Sequence, residues 1–200
     1  MTPMLHLVDD DDSFRTALAR LLRALGHEVK EYPDAQAFLA ATPTGAGCIL
    51  LDVYMPGLSG LGLQALLAER GVTLPIIFIT GHGDIPMGVH AMRAGAEDFL
   101  TKPVGRAALS QAIARALERN ARARAAAQAQ REDEERLARL SPREMQVARL
   151  LAQGLLNKQV AFELGTTERT VKAHRASLLD KLGIRSVAEL ARLLDRAAPP

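Results

Sequence analysis

Five side chains in the first half of the sequence have the types and spacing for chemistry: the carboxylates of Asp9, Asp10 and Asp52, the hydroxyl of Thr80 and the ammonium of Lys102. Each closes or directly follows a short, largely apolar run, at residues 5–8, 48–52, 76–80 and 98–101. If those runs are parallel strands, the five groups meet in one crevice, because ligands of such sheets bind beyond the carboxyl ends of the strands. Crowded carboxylates raise one another's pKa unless a cation neutralises them. An all-oxygen donor set favours Mg²⁺, which keeps waters of its own and also takes phosphate oxygens. A divalent ion and a lysine around one aspartate form the environment that an acyl phosphate needs.

Neighbouring groups read differently. Asp11 and Asp12 with Ser13 suit the start of a helix, where acidic and hydroxyl side chains accept from free backbone N–H groups. His82 reads as a solvated loop histidine. The single cysteine, Cys48, lies in a strand-like run and reads as a small apolar core residue. With no second cysteine and no H-x-x-x-H pattern, a zinc site has little support.

Strands and helices must alternate to position the five groups. Strands are expected at 5–8, 28–32, 48–52, 76–80 and 98–101. Phe14, Leu18, Leu21, Leu22 and Leu25 form an i, i+4, i+7, i+8, i+11 stripe, a helix with one face on a sheet that ends at Gly26. Further helices are expected at 34–41, 59–70, 84–94 and from about 104. Five such units imply an α/β fold: a five-stranded parallel, doubly wound sheet with helices on both faces over residues 1–118.

The fifth helix has no evident stop. After Leu109, Ile113 and Leu117 the chain turns Ala- and Arg-rich, then carries Arg131/Glu135, Glu132/Arg136 and Glu135/Arg139 at i, i+4. High propensity and charge pairing favour a continuous exposed helix through a linker at 119–135. A flexible tether is the alternative, because few large apolar residues are present to hold the helix against a neighbour. From residue 136 to 200 only helices are visible. Ser141-Pro142-Arg143-Glu144 opens one as a capping box, to about Gln153. Gly154, Gly165 and Gly183 then punctuate helices at 157–164, 168–182 and 186–195, an all-α four-helix region.

The chain of 200 residues has a formal charge of +2 that conceals a polarity. Residues 1–105 carry 7 Lys+Arg against 12 Asp+Glu, whereas residues 138–200 carry 11 against 6. An acidic front suits a cation or a basic partner, and a basic back suits a polyanion, unless both merely solubilise their surfaces. The apolar runs span only a few residues and the N-terminus lacks a signal-peptide pattern, so a soluble, cytoplasmic protein with no membrane contact is expected.

Val8-Asp9-Asp10, Leu51-Asp52-Val53-Tyr54-Met55-Pro56-Gly57, Ile79-Thr80-Gly81-His82-Gly83-Asp84 and Asp98-Phe99-Leu100-Thr101-Lys102-Pro103 resemble the receiver domain of two-component response regulators, a flavodoxin-like fold, and especially its FixJ-type subgroup. The resemblance implies that Asp52 is the phosphoacceptor and that Asp9, Asp10 and Asp52 hold Mg²⁺ with the backbone carbonyl of Tyr54. It also implies that Lys102 pairs with the phosphoryl group, that Thr80 hydrogen-bonds it and moves inward, and that Phe99 rotates into the vacated space.

The segments Leu140-Ser-Pro-Arg-Glu, Gly154-Leu-Leu-Asn157-Lys158-Gln-Val-Ala161, Thr170-Val171-Lys172-Ala173-His174-Arg175 and Lys181-Leu182-Gly183 are similar to the LuxR/NarL-type helix-turn-helix domain. Leu156 departs from the small polar residue often found there. By this resemblance the helix at 168–182 is the recognition helix. On a 100° wheel Val171, Leu178 and Leu182 face inward with Leu179 on the flank. Arg169, Ala173, Ala176 and Asp180 lie opposite and Lys172 sits on the edge, so Arg169, Lys172, Ala173 and Ala176 are the candidates for base edges. Arg175 is expected to snorkel toward phosphate. Asn157, Lys158, Thr166 and Thr170 suit phosphate contacts that fix register.

Together the resemblances imply a transcription regulator, not an enzyme with its own substrate, switched at Asp52 by a sensor histidine kinase. Its partners would be double-stranded promoter DNA, RNA polymerase and, on phosphorylation, a second copy of itself. Leu109, Ile113 and Leu117 place the expected dimer contact near the first domain. A phosphotransfer or phosphatase enzyme, a constitutive DNA binder with a decayed receiver and a helical protein-docking module are the other classes. The absence of a separate substrate pocket or base, the filled Asp9, Asp10, Asp52, Thr80 and Lys102 positions, and the basic C-terminal balance argue against them in turn.

Overall fold

The computed structural model describes residues 2–41, 43, 45–81 and 85–197. The chain divides into two compact units, Met1–Arg124 and Ala125–Pro200. In the first, strands β1 (Met4–Val8), β2 (Glu28–Tyr32), β3 (Gly47–Leu51), β4 (Ile76–Thr80) and β5 (Asp98–Thr101) form one parallel sheet in the order β2-β1-β3-β4-β5. Helices α1 (Asp12–Ala24), α2 (Ala35–Ala40), α3 (Gly60–Glu69) and α4 (Ile85–Arg93) alternate with the strands, and α5 (Arg106–Leu137) follows β5.

The two-residue period of the strands sorts their side chains onto two faces. Leu5, Leu7, Cys48, Leu50, Ile77 and Ile79 pack under Leu18 and Leu22 of α1 and under Leu109, Ala112, Ile113 and Ala116 of α5. On the other face, Val8, Ile49, Leu51 and Phe78 meet Phe38 of α2, Leu63 and Leu67 of α3 and Ala91 of α4. This corrects one expectation. Leu109 and Ile113 are fully buried against the sheet of their own chain and offer nothing to a second copy. The Cys48 thiol is buried as expected, and burial pushes it up to about 12.

Local signals explain most element ends. Asp11 caps α1, its carboxylate accepting from the N–H groups of Ser13 and Phe14. Asp34 and Ser59 cap α2 and α3 in the same way. At the amino end of the sheet, the buried Asn120 of α5 accepts from the N–H of Gly47 at 3.1 Å, so the helix is pinned to β3 well past Leu117.

The second unit contains the end of α5 and helices α6 (Pro142–Ala152), α7 (Asn157–Glu163), α8 (Glu168–Leu182) and α9 (Val187–Ala197). Its core joins Leu137, Val147, Leu151, Val160, Val171, Leu178, Leu182, Leu190 and Leu193. The i, i+4 ion pairs expected at residues 131–139 do not form. Asp133 is buried and pairs with Arg136 and, at 2.7 Å, with Arg196, while Arg136 also donates to the Leu182 carbonyl. Arg131 donates to the Ala127 carbonyl. The buried Asp133 takes Arg136 at i, i+3 and Arg196 from α9 because a buried carboxylate must be hydrogen-bonded, whereas exposed i, i+4 pairs contribute little. Among the described residues no helix is long and apolar enough to cross a membrane.

Candidate functional site

The segments leaving β1, β3 and β5 bring four of the five expected groups into contact. One carboxylate oxygen from each of Asp9, Asp10 and Asp52 lies within 4.8 Å of those of the other two. Lys102 Nζ donates to Asp9 Oδ2 at 2.7 Å and to Asp52 Oδ2 at 2.8 Å. Burial holds the Asp9 carboxyl above its ordinary range, against the hydrogen bond and charge of Lys102. Burial alone would lower the Lys102 ammonium, but its hydrogen bonds to Asp52 and Asp9 outweigh that and raise it. Two buried carboxylates thus share one ammonium, and Asp10 adds a third, exposed carboxylate beside them. The excess negative charge and the all-oxygen donors fit a hard divalent cation.

Asp52 owes its position to backbone geometry. The strand stops at Leu51, one residue earlier than expected, and the Asp52 N–H donates to the Val8 carbonyl at 2.9 Å. The next helix begins so close behind it that a Cβ on Gly60 would stand 2.1 Å from the Asp52 carbonyl oxygen. Only glycine allows that approach. The Tyr54 N–H donates to Asp52 Oδ1 at 3.2 Å, which puts the Tyr54 backbone beside the cluster.

Thr80 is fully buried at the end of β4, and its carbonyl accepts from the Lys102 N–H at 2.8 Å. Phe99 is half-buried, with its ring centroid 6.2 Å from that of Phe78 and its edge against Gly88 of α4. His82, Gly83 and Asp84, which completed the fourth-strand motif, lie outside the described residues. Sequence reasoning missed two supports of the pocket. Phe14, read as an apolar stripe residue, lies with its ring centroid 4.0 Å from Lys102 Nζ, a cation–π contact. Arg15 donates to the Asp9 carbonyl at 2.6 Å. Their place in the first turn after the acidic pair was the available signal.

In the second unit, α8 presents Arg169, Lys172, Ala173 and Ala176 to solvent while Val171, Leu178 and Leu182 are buried. Lys172 pairs with Glu168 one turn earlier at 2.9 Å, and both are exposed. Arg175 is half-buried and reaches Asn157 Oδ1 at 3.5 Å, joining α8 to the start of α7, where Lys158 is exposed. Thr170 is engaged in the helix cap: its hydroxyl lies 2.9 Å from that of Thr167, whose oxygen accepts the Thr170 N–H. Thr166 is half-buried in the α7–α8 turn, its N–H donating to the Ala161 carbonyl.

A buried carboxylate orients α8 from behind. Glu144 forms the expected capping box with Ser141 and also accepts from Ser177 Oγ at 2.7 Å and Lys181 Nζ at 2.7 Å. Lys181 chiefly, with the Ser141 N–H and Ser177, holds its carboxyl down at about 2. The capping box was legible locally. The tertiary role was not, because its partners lie 33 and 37 residues away.

Comparison with known proteins covers nearly the whole chain. Residues 5–114 match the model for the response regulator receiver domain, and residues 138–194 match that for bacterial regulatory proteins of the luxR family. Nodulation protein W of Bradyrhizobium diazoefficiens is 46% identical over 191 residues, covering 95% of this chain and 84% of that protein. Transcriptional regulatory protein FixJ of Azorhizobium caulinodans is 44% identical over 189 residues, 94% and 90% of the two chains. The solved structure of response regulator StyR superposes with a TM-score of 0.88 at 45% identity, covering 98% of this chain and all of that one.

Proposed function

Because the chain belongs to the response regulators, with a receiver domain followed by a luxR-family DNA-binding domain, we propose that Asp52 is the phosphoacceptor that switches this transcription regulator. The observation that carries the proposal is the ion-paired cluster in which Lys102 bridges Asp52 and Asp9 beside Asp10. An Asp52 carboxylate oxygen attacks the phosphorus of a phosphohistidine on the partner kinase. The P–N bond breaks, a P–O bond forms, and the leaving imidazole takes a proton. Lys102 turns from the carboxylates to a phosphoryl oxygen and stabilises charge on the transferring group. Asp9, Asp10, Asp52 and the Tyr54 carbonyl would hold Mg²⁺, which when bound neutralises charge shared between carboxylate and phosphoryl oxygens.

The buried Thr80 hydroxyl then bonds the phosphoryl group and draws the end of β4 inward, and Phe99 follows into the space released beneath α4. A switch of this kind needs only a few kcal/mol of difference between two states. The altered face of α4, β5 and α5 joins two copies on phosphorylation. The domains comprise residues 1–118 and 136–200, with 119–135 between them. The paired α8 helices enter the major groove of an inverted-repeat promoter site in the cytoplasm. Arg169, Lys172, Ala173 and Ala176 meet base edges there, and Asn157, Lys158, Thr166, Thr170 and Arg175 lie along the phosphates. RNA polymerase is the partner through which DNA binding changes transcription.

The test is labelling of the full chain with acetyl phosphate. Wild type should gain a Mg²⁺-dependent, hydroxylamine-sensitive phosphoryl group, and Asp52→Asn should gain none while keeping its circular dichroism spectrum. Equal labelling of the variant would refute the assignment.

A further inference from the structure

Two buried amides at the amino end of the sheet are each only half used. Gln64 of α3 is 5% exposed, and its Nε2 donates at 3.2 Å to the carbonyls of Ala91, in the last turn of α4, and Ala94, just past it. Asn120 of α5 is 2% exposed, and its Oδ1 accepts the Gly47 N–H. These backbone partners fix which way each amide points, because a carbonyl can only accept and an N–H can only donate. Gln64 Oε1 and Asn120 Nδ2 are thereby turned elsewhere, and among the described residues neither has a partner. Every side-chain nitrogen or oxygen sealed from solvent among those residues does have one, so these two atoms reach open space. That space is a cavity of about 330 Å³ which both residues line.

The rest of the lining narrows the ligand. Leu67, Val72, Leu74 and Ile76 supply an apolar wall, and Ala94 and Gly95 leave room beside it. The charged residue of the lining, Arg119, pairs with Glu97 at 3.2 Å, so the cavity offers no unpaired charge. An apolar concavity with a few convergent polar groups is the usual form of a small-molecule site, and this volume suits a small ligand. We propose that the cavity binds a small uncharged molecule with an apolar body and a primary carboxamide, whose carbonyl accepts from Asn120 Nδ2 and whose N–H donates to Gln64 Oε1. A carboxamide offers the reverse of what the two side chains leave over, whereas a ketone or a carboxylate has no donor for Gln64. The cavity lies at the amino ends of the strands, and Asp9, Asp10, Asp52 and Lys102 lie at the carboxyl ends. It is therefore a site separate from the acidic cluster, and its occupancy does not depend on phosphoryl chemistry.

The experiment titrates the unphosphorylated full chain with benzamide, acetophenone and benzoate while its proton–nitrogen correlation spectrum is recorded. Benzamide should move the Asn120 side-chain amide and Gly95 backbone signals and saturate with a Kd on the order of 1 mM. Acetophenone keeps the body and the carbonyl but lacks the N–H, and should bind about tenfold more weakly, as should benzoate. Filling the rim with Ala68→Leu/Ala123→Leu should abolish the benzamide response and leave the rest of the spectrum as in wild type, because both positions are exposed. Nuclear Overhauser contacts from the benzamide ring to the methyl groups of Val72 and Ile76 should appear in wild type, and their absence would overturn the site even if the rim variant failed to fold. No saturable response would mean that water alone completes the two amides, and the proposal would fall. It would fall equally if all three compounds bound alike, which would make the cavity merely apolar, or if benzoate bound best, which would place the contact at Arg119. An undiminished benzamide response in a folded rim variant would put the compound elsewhere and overturn the proposal too.

Discussion

Each unit of this chain places a buried carboxylate against a lysine, with opposite results. In the first unit Lys102 is divided between Asp9 and Asp52, with Asp10 nearby, and burial leaves the Asp9 carboxyl raised. In the second unit Glu144 alone receives Lys181, Ser177 and the Ser141 N–H, and its carboxyl is held down at about 2. The first cluster has more charge than it can satisfy and invites a cation and a phosphoryl group. The second is satisfied in full and fixes two helices. The ratio of donors to carboxylates, rather than burial or residue type, separates a site poised for chemistry from one built for stability.

Deleting the carboxylate of the satisfied cluster should have the largest effect. Glu144→Ala strands Ser177 and Lys181 and removes half of the capping box, and should destabilise the second unit by about 3 kcal/mol. Circular dichroism during urea unfolding follows this loss. Tyrosine fluorescence, which comes only from Tyr32 and Tyr54 in the first unit, should hardly shift. A second unit as stable as wild type would erase the contrast.

Gly60→Ala tests whether the proposed phosphoacceptor depends on backbone proximity. The added methyl would stand 2.1 Å from the Asp52 carbonyl, so α3 must retreat at a cost of about 2 to 3 kcal/mol. Labelling by acetyl phosphate should slow with it. Wild-type stability and labelling together would show that the close approach positions nothing.

Acid separates the units by where each weakens. His6 is buried on β1, hydrogen-bonded to Tyr32, and burial chiefly, with the Lys30 charge, lowers its imidazole from 6.5 to about 4. The fold therefore holds the neutral ring, and the unfolded chain takes the proton first. Stability present above pH 6.5 should fall by about 2 kcal/mol as the pH approaches 4. His6→Gln should flatten that slope in the tyrosine-detected transition. Glu144 is lowered from 4.5 to about 2, so its contribution is whole above pH 4.5 and is lost as the pH falls toward 2. A second unit that weakened between pH 6.5 and 4.5 by a Glu144-dependent amount would contradict this order.

The smallest effect should have the opposite sign. Asp52→Asn removes one of three crowded carboxylates while leaving Lys102 its bond to Asp9. The first unit should gain about 1 kcal/mol in Mg²⁺-free buffer as it loses the ability to be phosphorylated. Destabilisation would mean that the cluster is as fully compensated as Glu144.

Much of this was legible from residue order. The strands show as short apolar runs and the helices as stripes with capping residues, so the elements fell within a few residues of their expected places. Asp9, Asp10, Asp52 and Lys102 could be brought together because strand ends in a parallel sheet share one edge. What residue order hid was tertiary competition. Arg136 leaves its expected i, i+4 partner Glu132 for Asp133 at i, i+3 and for the Leu182 carbonyl of α8. Leu109 and Ile113 are absorbed by the sheet, Phe14 slides beneath Lys102, and Glu144 gathers Ser177 and Lys181. Each depends on which faces meet, information that periodicity along one segment does not contain.

The outward face of α8 has a consequence for descent. Arg169, Lys172, Ala173 and Ala176 are all exposed, and the core and the Glu144 network use other residues of the same helix. The ion pair of Lys172 with Glu168 on that face is solvent-exposed and contributes little. Substitutions at these four positions are therefore nearly neutral for folding. After a gene duplication, one copy could drift across that face, acquire a new promoter address one residue at a time and never pass through an unfolded ancestor. It would keep the acidic pocket proposed to accept the phosphoryl group, and its kinase, while doing so, and selection on insulation between sister pathways would fall on the pocket's surroundings instead.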